Sequence, residues 1–318
     1  MKLFDGHCDT LLGLLGNPRS GPLPVGSLYE NTLHVDLKRG LELDFYAQVF
    51  ALFGFREMGF ADVFDTLYGR FAEEMEACRD SVSFCRSRSE AEAAGKAHKA
   101  AAFLSIEGAE VIGCRPEKLE DAAAKGVRGF GVCWNRANEI TGTCAEDTDR
   151  GLGPKGRELV RLAEELHMVT DVSHLSDPGF WDVEKLAGGP FIASHSNSRA
   201  IHPHPRNLTD DMFRAIRDHG GTVGLNLYAL FLGEENVTVE TALRHIDHFL
   251  DLGGEKTLAI GGDLDGCEQL PEGISGLQDV HLIRDALAQR GYGEELLDDI
   301  FCNNLLRVLP LQDAAHKE

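Results

Sequence analysis

Short apolar runs alternate with longer amphipathic stretches along most of this chain. Apolar runs bounded by glycine or polar residues are typical of buried strands, and eight occur: 2–4, 45–53, 101–106, 127–133, 168–172, 190–193, 222–225 and 258–260. Between them, apolar residues recur at helical spacing. This spacing predicts helices over 61–86, 89–97, 116–125, 155–167, 176–187, 209–219, 238–252, 276–290 and 293–309.

The alternation of strands and helices predicts βα units and a parallel sheet. Eight strands favour a closed (β/α)8 TIM-type barrel, of class α/β, over an open doubly wound sheet. Residues 16–34 are rich in Gly, Pro, Ser and Asn and are expected to form a long loop, and residues 36–41 a helical turn. No repeat, low-complexity tract or linker divides the chain, so residues 1–318 are predicted to form one domain.

Polar residues follow several of these strands at the point where each strand ends. The first strand leads into His7-Cys8-Asp9. In an extended chain the two outer residues face the same side, so His7 and Asp9 can chelate one divalent cation. Glu107 follows the strand over 101–106, and a carboxylate there can bridge two metal ions. Taken alone, each of these could equally be a polar strand end or a surface charge.

Two histidines, His174 and His195, follow the strands over 168–172 and 190–193. A single histidine at such a place would more often be structural, but two on neighbouring strands indicate a metal site. Imidazole nitrogens together with carboxylates suit zinc best, with manganese and cobalt as alternatives. In a barrel these residues would meet at the C-terminal ends of the strands, where barrel active sites lie.

Asp263 lies in the glycine-rich segment 261–266 that follows the last strand. A carboxylate there can take a proton from an attacking water and later donate it to a leaving group. Asp265 shares the same strand face, so the role could be divided between the two. With the five candidate ligands, Asp263 predicts a binuclear-metal hydrolase in which a metal-bridging hydroxide attacks a carbonyl. The glycines of 151–156 follow no strand, so no phosphate loop competes with this interpretation.

Composition and charge exclude several other classes of function. The 318 residues include 52 acidic and 31 basic ones, a net charge of −21. No block of Lys and Arg could follow a phosphate backbone, so neither nucleic acid nor a membrane surface is an expected partner. Eight cysteines without a C-x-x-C pair favour buried free thiols in a reducing compartment. With no signal peptide and no long apolar run, the expected location is cytoplasmic.

The chain resembles the membrane dipeptidase (renal dipeptidase) family, zinc peptidases within the amidohydrolase-like barrels. The resemblance lies in seven short segments that occur in the family's order: 5–9, 105–108, 171–174, 194–196, 204–207, 226–228 and 261–266. It implies an enzyme, a metallo-dipeptidase that hydrolyses L-Xaa-L-Xaa and L-Xaa-D-Xaa dipeptides with two Zn²⁺ ions per chain. A homodimer is compatible with it, because family members often pair.

The resemblance also implies a role for each candidate residue. His7 and Asp9 would bind one zinc ion, His174 and His195 the other, and Glu107 both. These roles complete the metal site.

The remaining implied roles concern catalysis and substrate binding. Asp263 would be the general acid and base, Arg206 would pair with the dipeptide carboxylate, and Tyr228 would line the pocket. Many family members have a histidine after the fourth strand that contacts the scissile carbonyl. Trp134 stands at that place here, followed by Asn135. The Trp134 indole N–H or the Asn135 amide could donate a hydrogen bond there instead.

Three alternatives remain open at this point. The nearest is a binuclear-metal amidohydrolase that acts on another small amide or lactone, such as an N-acyl amino acid or a β-lactam. The others are a non-catalytic binder that keeps the same scaffold and a metal-free barrel enzyme. Two further histidines, His245 and His248, lie on a predicted helix and are expected to be partly exposed.

Overall fold

Eight strands, all paired in parallel, form one sheet in the computed structural model, which describes residues 1–16, 25–59 and 62–309. Their order in the sheet is β6-β5-β4-β2-β1-β8-β7, with β3 beside β4. The strands are Lys2–Cys8 (β1), Phe45–Leu52 (β2), Val82–Phe84 (β3), Ala100–Ile106 (β4), Gly129–Gly131 (β5), Val169–Asp171 (β6), Val223–Leu225 (β7) and Leu258–Ile260 (β8).

Two single bridges close this sheet into a ring between β6 and β7. Asp171 of β6 pairs with Ile192, and Ala193 pairs with Val223 of β7, both in parallel. The segment predicted as a strand over 190–193 therefore takes its place in the barrel through isolated bridges rather than through a continuous ladder. The barrel of class α/β that the sequence predicts is confirmed.

The described residues form thirteen α-helices, which connect or follow the strands. Most of them begin and end within two residues of the predicted bounds. They are Thr10–Leu14 (α1), Leu37–Gly40 (α2), Val63–Ala77 (α3), Arg88–Lys96 (α4), Pro116–Ala124 (α5), Pro154–Glu165 (α6), Asp177–Leu186 (α7), Asp210–Asp218 (α8), Ala229–Leu232 (α9), Val239–Asp251 (α10), His281–Gln289 (α11), Glu294–Asp298 (α12) and Asn304–Val308 (α13).

Shorter helical turns interrupt some of the predicted helices. In the described ranges, the 3₁₀ turns are Arg56–Met58, Ala109–Ile112 and Leu277–Asp279, and a π-helix spans Asp299–Asn303 between α12 and α13. The predicted turn over 36–41 is confirmed as α2, which Asp36 caps by accepting a hydrogen bond from the Arg39 N–H. Of the predicted loop over 16–34, residues 17–24 lie outside the described residues.

The predicted helix over 61–86 is wrong beyond residue 77. Helix α3 ends at Ala77, and the chain then turns into β3, which pairs with the first half of β4. Phe84 of β3 packs edge to face on Phe71 of α3, with ring centroids 4.9 Å apart. The apolar residues of 82–84 fit a helical pattern locally, but pairing with β4 decides their conformation, because strand pairing depends on a distant segment.

Strand residues alternate between two buried clusters, one inside the barrel and one between the barrel and its helices. Phe4 and Phe103 stack in the inner cluster with ring centroids 5.2 Å apart. Cys8, four residues after Phe4, belongs to the outer cluster, although regular alternation would place it on the same face. The register of β1 on β2 shifts between Asp5 and Cys8. This irregularity re-aims the end of β1, where His7 lies.

All eight cysteines are free and buried, as the sequence predicts. None of the helices in the described part of the chain is long and apolar enough to cross a membrane. His248 is half-buried, as expected, but His245 is fully buried. That expectation was wrong because His245 accepts a hydrogen bond from the Ser198 N–H and lies 3.0 Å from the Leu232 carbonyl oxygen.

Candidate active site

The C-terminal ends of the strands bring six of the predicted site residues together. His7 is the second-last residue of β1, Asp9 follows β1, and Glu107 follows β4. The other three stand on the segments after β6, residue 193 and β8. All six are at most 8% exposed. Two of the six, His174 and Asp263, have φ angles of 71° and 54°. This left-handed conformation is uncommon for residues other than glycine, and Asn, Asp and His adopt it more often than the rest.

The Glu107 carboxylate lies between two pairs of candidate ligands. Its Oε2 is 3.5 Å from His7 Nε2, and His7 Nε2 is 3.9 Å from Asp9 Oδ2. Its Oε1 is 2.9 Å from His174 Nε2 and 3.8 Å from His195 Nε2. One oxygen therefore faces each pair, which is the arrangement that a bridging carboxylate needs.

The donor atoms of this cluster fit a metal ion. Three groups of potential ligands have their donor atoms within 4.8 Å of one another: His7, Asp9 and Glu107; Glu107, His174 and His195; and His7, His195 and Asp263. His7 Nε2, Asp9 Oδ1 and Glu107 Oε2 are buried without a hydrogen-bond partner among the described residues. Buried polar atoms without partners are costly, and divalent cations would satisfy these three.

Burial and charge shift the titration of these groups in different directions. Burial, together with the neighbouring Asp9, raises the pKa of Glu107 to about 8. Burial opposes protonation of His7, but Glu107 and Asp9 outweigh it and raise its pKa well above the usual value. For His174 and His195, burial and nearby positive groups hold the pKa well below the usual value. Both imidazoles are therefore neutral, the form that binds metal.

Asp263, rather than Asp265, faces the cluster. Asp263 Oδ2 accepts a 2.9 Å hydrogen bond from Asn226 Nδ2. Asp265 instead accepts hydrogen bonds from the Thr10 hydroxyl and the His34 N–H, both at 2.6 Å. The cluster also needs a glycine at 266, since a Cβ there would lie 2.3 Å from an oxygen of Asp263 and from one of Asp9.

A cavity of about 370 Å³ opens beside the cluster. Of the predicted substrate-binding residues, Trp134, Asn135, Arg206 and Tyr228 all line it. Trp134 packs on Phe53 with ring centroids 5.0 Å apart. The Tyr228 hydroxyl donates a 2.6 Å hydrogen bond to the Glu268 carboxylate.

The Arg206 guanidinium is buried, with the residue 5% exposed. It donates to the Ser196 hydroxyl at 3.4 Å and, through Nη2, towards Nε2 of His174 at 3.1 Å and the His195 carbonyl oxygen at 3.2 Å. It also lies over the Phe231 ring. Its Nε–H has no hydrogen-bond partner among the described residues, and none of the groups to which the guanidinium donates there is a carboxylate. A buried cation without a counter-ion is costly, so this group is suited to the carboxylate of a ligand.

The comparisons with known proteins agree with this site. All 318 residues match the family model described as membrane dipeptidase (Peptidase family M19). The chain belongs to this family. It is accordingly a metallo-dipeptidase by family and by fold.

Several proteins are similar to this M19 chain in sequence or in structure. An uncharacterised protein of Klebsiella pneumoniae is 35% identical over 254 residues, which cover 76% of this chain and 91% of the relative. The crystal structure of dipeptidase AC has a TM-score of 0.87 and 31% identity and covers 97% and 98% of the two chains. A Rhodobacter sphaeroides metallopeptidase, liganded with a phosphinate mimic of L-Ala-D-Ala, has a TM-score of 0.86 and 29% identity with the same coverage.

Sequence reasoning missed several residues that line the cavity of this family member: Phe53, Cys144, Ala145, His204, Pro205, Phe231, Gly266 and Glu268. Phe231 could have been found, because it follows Tyr228 by one helical turn at the start of α9. Asn135, predicted to bind substrate, has its Oδ1 2.8 Å from Nδ1 of His174. Its amide is therefore engaged with a candidate metal ligand as well as lining the cavity.

Proposed function

We propose that this chain is a zinc dipeptidase with two Zn²⁺ ions per chain, acting on L-Xaa-L-Xaa and L-Xaa-D-Xaa dipeptides. The observation that carries this proposal is the buried Arg206 guanidinium, which lacks a carboxylate partner among the described residues, on the wall of a cavity that also contains the binuclear donor set. A guanidinium offers two parallel N–H donors to a carboxylate. The phosphinate dipeptide mimic bound to the R. sphaeroides relative supports the same substrate class.

The metal ligands would divide into two pairs with one shared residue. His7 and Asp9 would hold one ion, His174 and His195 the other, and Glu107 both. Nitrogen and oxygen ligands of this kind favour zinc, with manganese and cobalt as alternatives. Bound there, the ions would polarise the scissile carbonyl and generate a nucleophile from water at neutral pH.

Asp263 is placed to move the proton that peptide hydrolysis requires. Asn226 fixes one of its carboxylate oxygens, and the other can accept a proton from the attacking water and deliver it to the leaving amine nitrogen. Burial raises the pKa of Asp263 to about 6. A group that must both accept and donate a proton near neutrality works best with such a value.

The cavity walls would set which substrates fit. Arg206 would orient the dipeptide by its carboxylate, so that the peptide carbonyl meets the cluster. Trp134 and Tyr228 would contact the side chains. A small dipeptide is the only partner that this account requires. One domain over 1–318 is also proposed, since β1 pairs with β8 and the π-helix packs against both.

A panel of matched substrates tests the proposal. Zinc-reconstituted protein would be assayed on L-Ala-L-Ala, L-Ala-D-Ala, the C-terminal amide of L-Ala-D-Ala, and N-acetyl-D-Ala, beside a chelated control. The expected result is metal-dependent cleavage of the two free dipeptides and much slower turnover of the other compounds. Faster cleavage of N-acetyl-D-Ala would instead favour an N-acyl amino acid hydrolase.

A further inference from the structure

Asp171, the last residue of β6, is a buried carboxylate that the proposed mechanism does not use. It is 7% exposed. Its Oδ1 accepts hydrogen bonds from the backbone N–H groups of Ser173 and Ser194, at 2.9 and 3.0 Å. Its Oδ2 accepts a short hydrogen bond from the Ser194 hydroxyl. Three donors therefore converge on it, none of them from a basic side chain.

The Ser194 hydroxyl connects this carboxylate to a candidate metal ligand. Ser194 Oγ lies 2.7 Å from Nδ1 of His195. A hydroxyl has one proton, and Ser194 gives it to Asp171, so Ser194 can only accept from His195. Nδ1 of His195 must then carry the imidazole proton, and Nε2 keeps its lone pair, 2.9 Å from Nε2 of His174 and 3.8 Å from Oε1 of Glu107.

We propose that Asp171 is a positioning residue, which acts through Ser194 to fix His195 in the tautomer that can bind metal. The inference rests on the proposed function only in that the cluster binds Zn²⁺. An ionised carboxylate has acceptor oxygens and no donor. It therefore sets the direction of the whole chain of hydrogen bonds from His195 through Ser194.

The other histidine of this pair is held differently. Nδ1 of His174 lies 2.8 Å from Oδ1 of Asn135. An amide presents a donor if it rotates by half a turn, so Asn135 alone does not determine the tautomer of His174. The tautomer of His174 is set from its other side, because Nη2 of Arg206 can only donate and lies 3.1 Å from Nε2 of His174. His195 is instead set through Ser194 by the buried Asp171 carboxylate. Outer partners of this kind orient a metal ligand and increase its basicity.

Replacing Asp171 with Asn reverses this direction without changing the shape of the side chain. The Asn oxygen would take the place of Oδ1 and accept hydrogen bonds from the same two backbone N–H groups. In the opposite rotamer the Asn NH2 group would face these N–H groups, donor against donor. The amide nitrogen would then donate to Ser194 Oγ. The Ser194 proton would turn to Nδ1 of His195, and Nε2 would carry the imidazole proton and lose its lone pair.

The test is zinc affinity measured without substrate, by competition with a chelator of known strength. Wild-type protein is compared with Asp171→Asn, Ser194→Ala and the double variant. Asp171→Asn is expected to lower the affinity for one of the two zinc ions by about 10- to 100-fold, the usual effect of losing a group that hydrogen-bonds to a metal ligand. In the Ser194→Ala background the same substitution should change affinity by no more than about twofold, because the link is already cut.

Asp5→Asn is the matched control for loss of a buried charge. Asp5 is buried beside the same cluster, and its Oδ1 also accepts two backbone N–H bonds, from His7 at 3.0 Å and Gly262 at 2.9 Å. Its Oδ2, however, has no hydrogen-bond partner in the described structure. Asp5→Asn should therefore affect zinc affinity less than Asp171→Asn does.

A second readout follows the tautomer itself in metal-free protein. The ¹⁵N shifts of labelled His195 should report a proton on Nδ1 in the wild type and on Nε2 in Asp171→Asn. Three results would overturn the proposal: unchanged affinity in Asp171→Asn, an equal loss in the Ser194→Ala background, or an equal loss in Asp5→Asn. Because no substrate is present, a failure of the dipeptidase proposal would appear only in the substrate panel.

Discussion

Arg206→Lys separates recognition of the substrate carboxylate from the rest of catalysis. Lysine keeps the positive charge but replaces the planar fork of N–H donors with a single ammonium. In the structure the Nε–H of Arg206 is buried without a partner among the described residues. The substitution therefore removes a donor that only a bound ligand is placed to use.

The expected loss is that of one hydrogen bond to a charged group. Such a bond contributes about 1.5–3 kcal/mol, which corresponds to about a 10- to 150-fold decrease in kcat/KM at 1.36 kcal/mol per tenfold. Most of the loss should appear in KM, because the carboxylate is held equally in the ground state and the transition state. The C-terminal amide of the same dipeptide lacks that charge, so its kcat/KM should change much less.

The assay measures kcat/KM of the wild type and the variant on L-Ala-D-Ala and on its amide. Arg214→Lys is the matched control, because Arg214 lies on α8 and pairs with Asp211 on the surface. It should leave both values unchanged. If Arg206→Lys lowers turnover of the acid and the amide by the same factor, the assignment of the carboxylate to Arg206 is wrong.

Three further predictions concern proton transfer, the bridging carboxylate and acid stability. Asp263→Asn should lower kcat by about 10²- to 10⁴-fold with zinc content unchanged by mass spectrometry. Glu107→Gln should lower zinc content, because an amide offers one ligand oxygen where the carboxylate offers two. Burial lowers the pKa of His245 from 6.5 to about 4. As the pH falls, His245 is therefore protonated in the unfolded chain before it is protonated in the folded one. Relative to His245→Gln, the wild type should lose about 3 kcal/mol of stability between pH 6.5 and pH 4 in urea unfolding.

Each of these has an outcome that contradicts it. Asp263→Asn with wild-type kcat would remove that residue from the reaction, and Glu107→Gln with full zinc content would show that it bridges nothing. If the free energy of unfolding depends on pH in the same way in the wild type and in His245→Gln, His245 has the same pKa in the folded and the unfolded chain.

The barrel and the cluster at its mouth were predictable because both follow from local patterns. Parallel strands that are buried on both faces appear in the sequence as continuous apolar runs. The polar residue after each run lies at the edge of the sheet where the strands end together. His7, Glu107 and His195 could therefore be placed near one another before any distance was known. The strand over 82–84 was missed because its apolar residues also fit a helix, and only β4 distinguishes the two.

The outer partners of the ligands could not be predicted in the same way. The contact of Asp171 with Ser194 depends on the bridge between Asp171 and Ile192, which joins segments 21 residues apart. Asp171 lies in one of the segments that carry the family resemblance, but the sequence indicated no role for it. The burial of His245 likewise depends on contacts with Ser198 and Leu232, which helical spacing alone does not show.

The most direct test of the account is a zinc titration of metal-stripped protein, followed by release of D-alanine from L-Ala-D-Ala. The account predicts no turnover in the chelated protein and activity that rises until two zinc ions are bound per chain. Full activity without metal, or silence on every free dipeptide with two zinc ions bound, would contradict it.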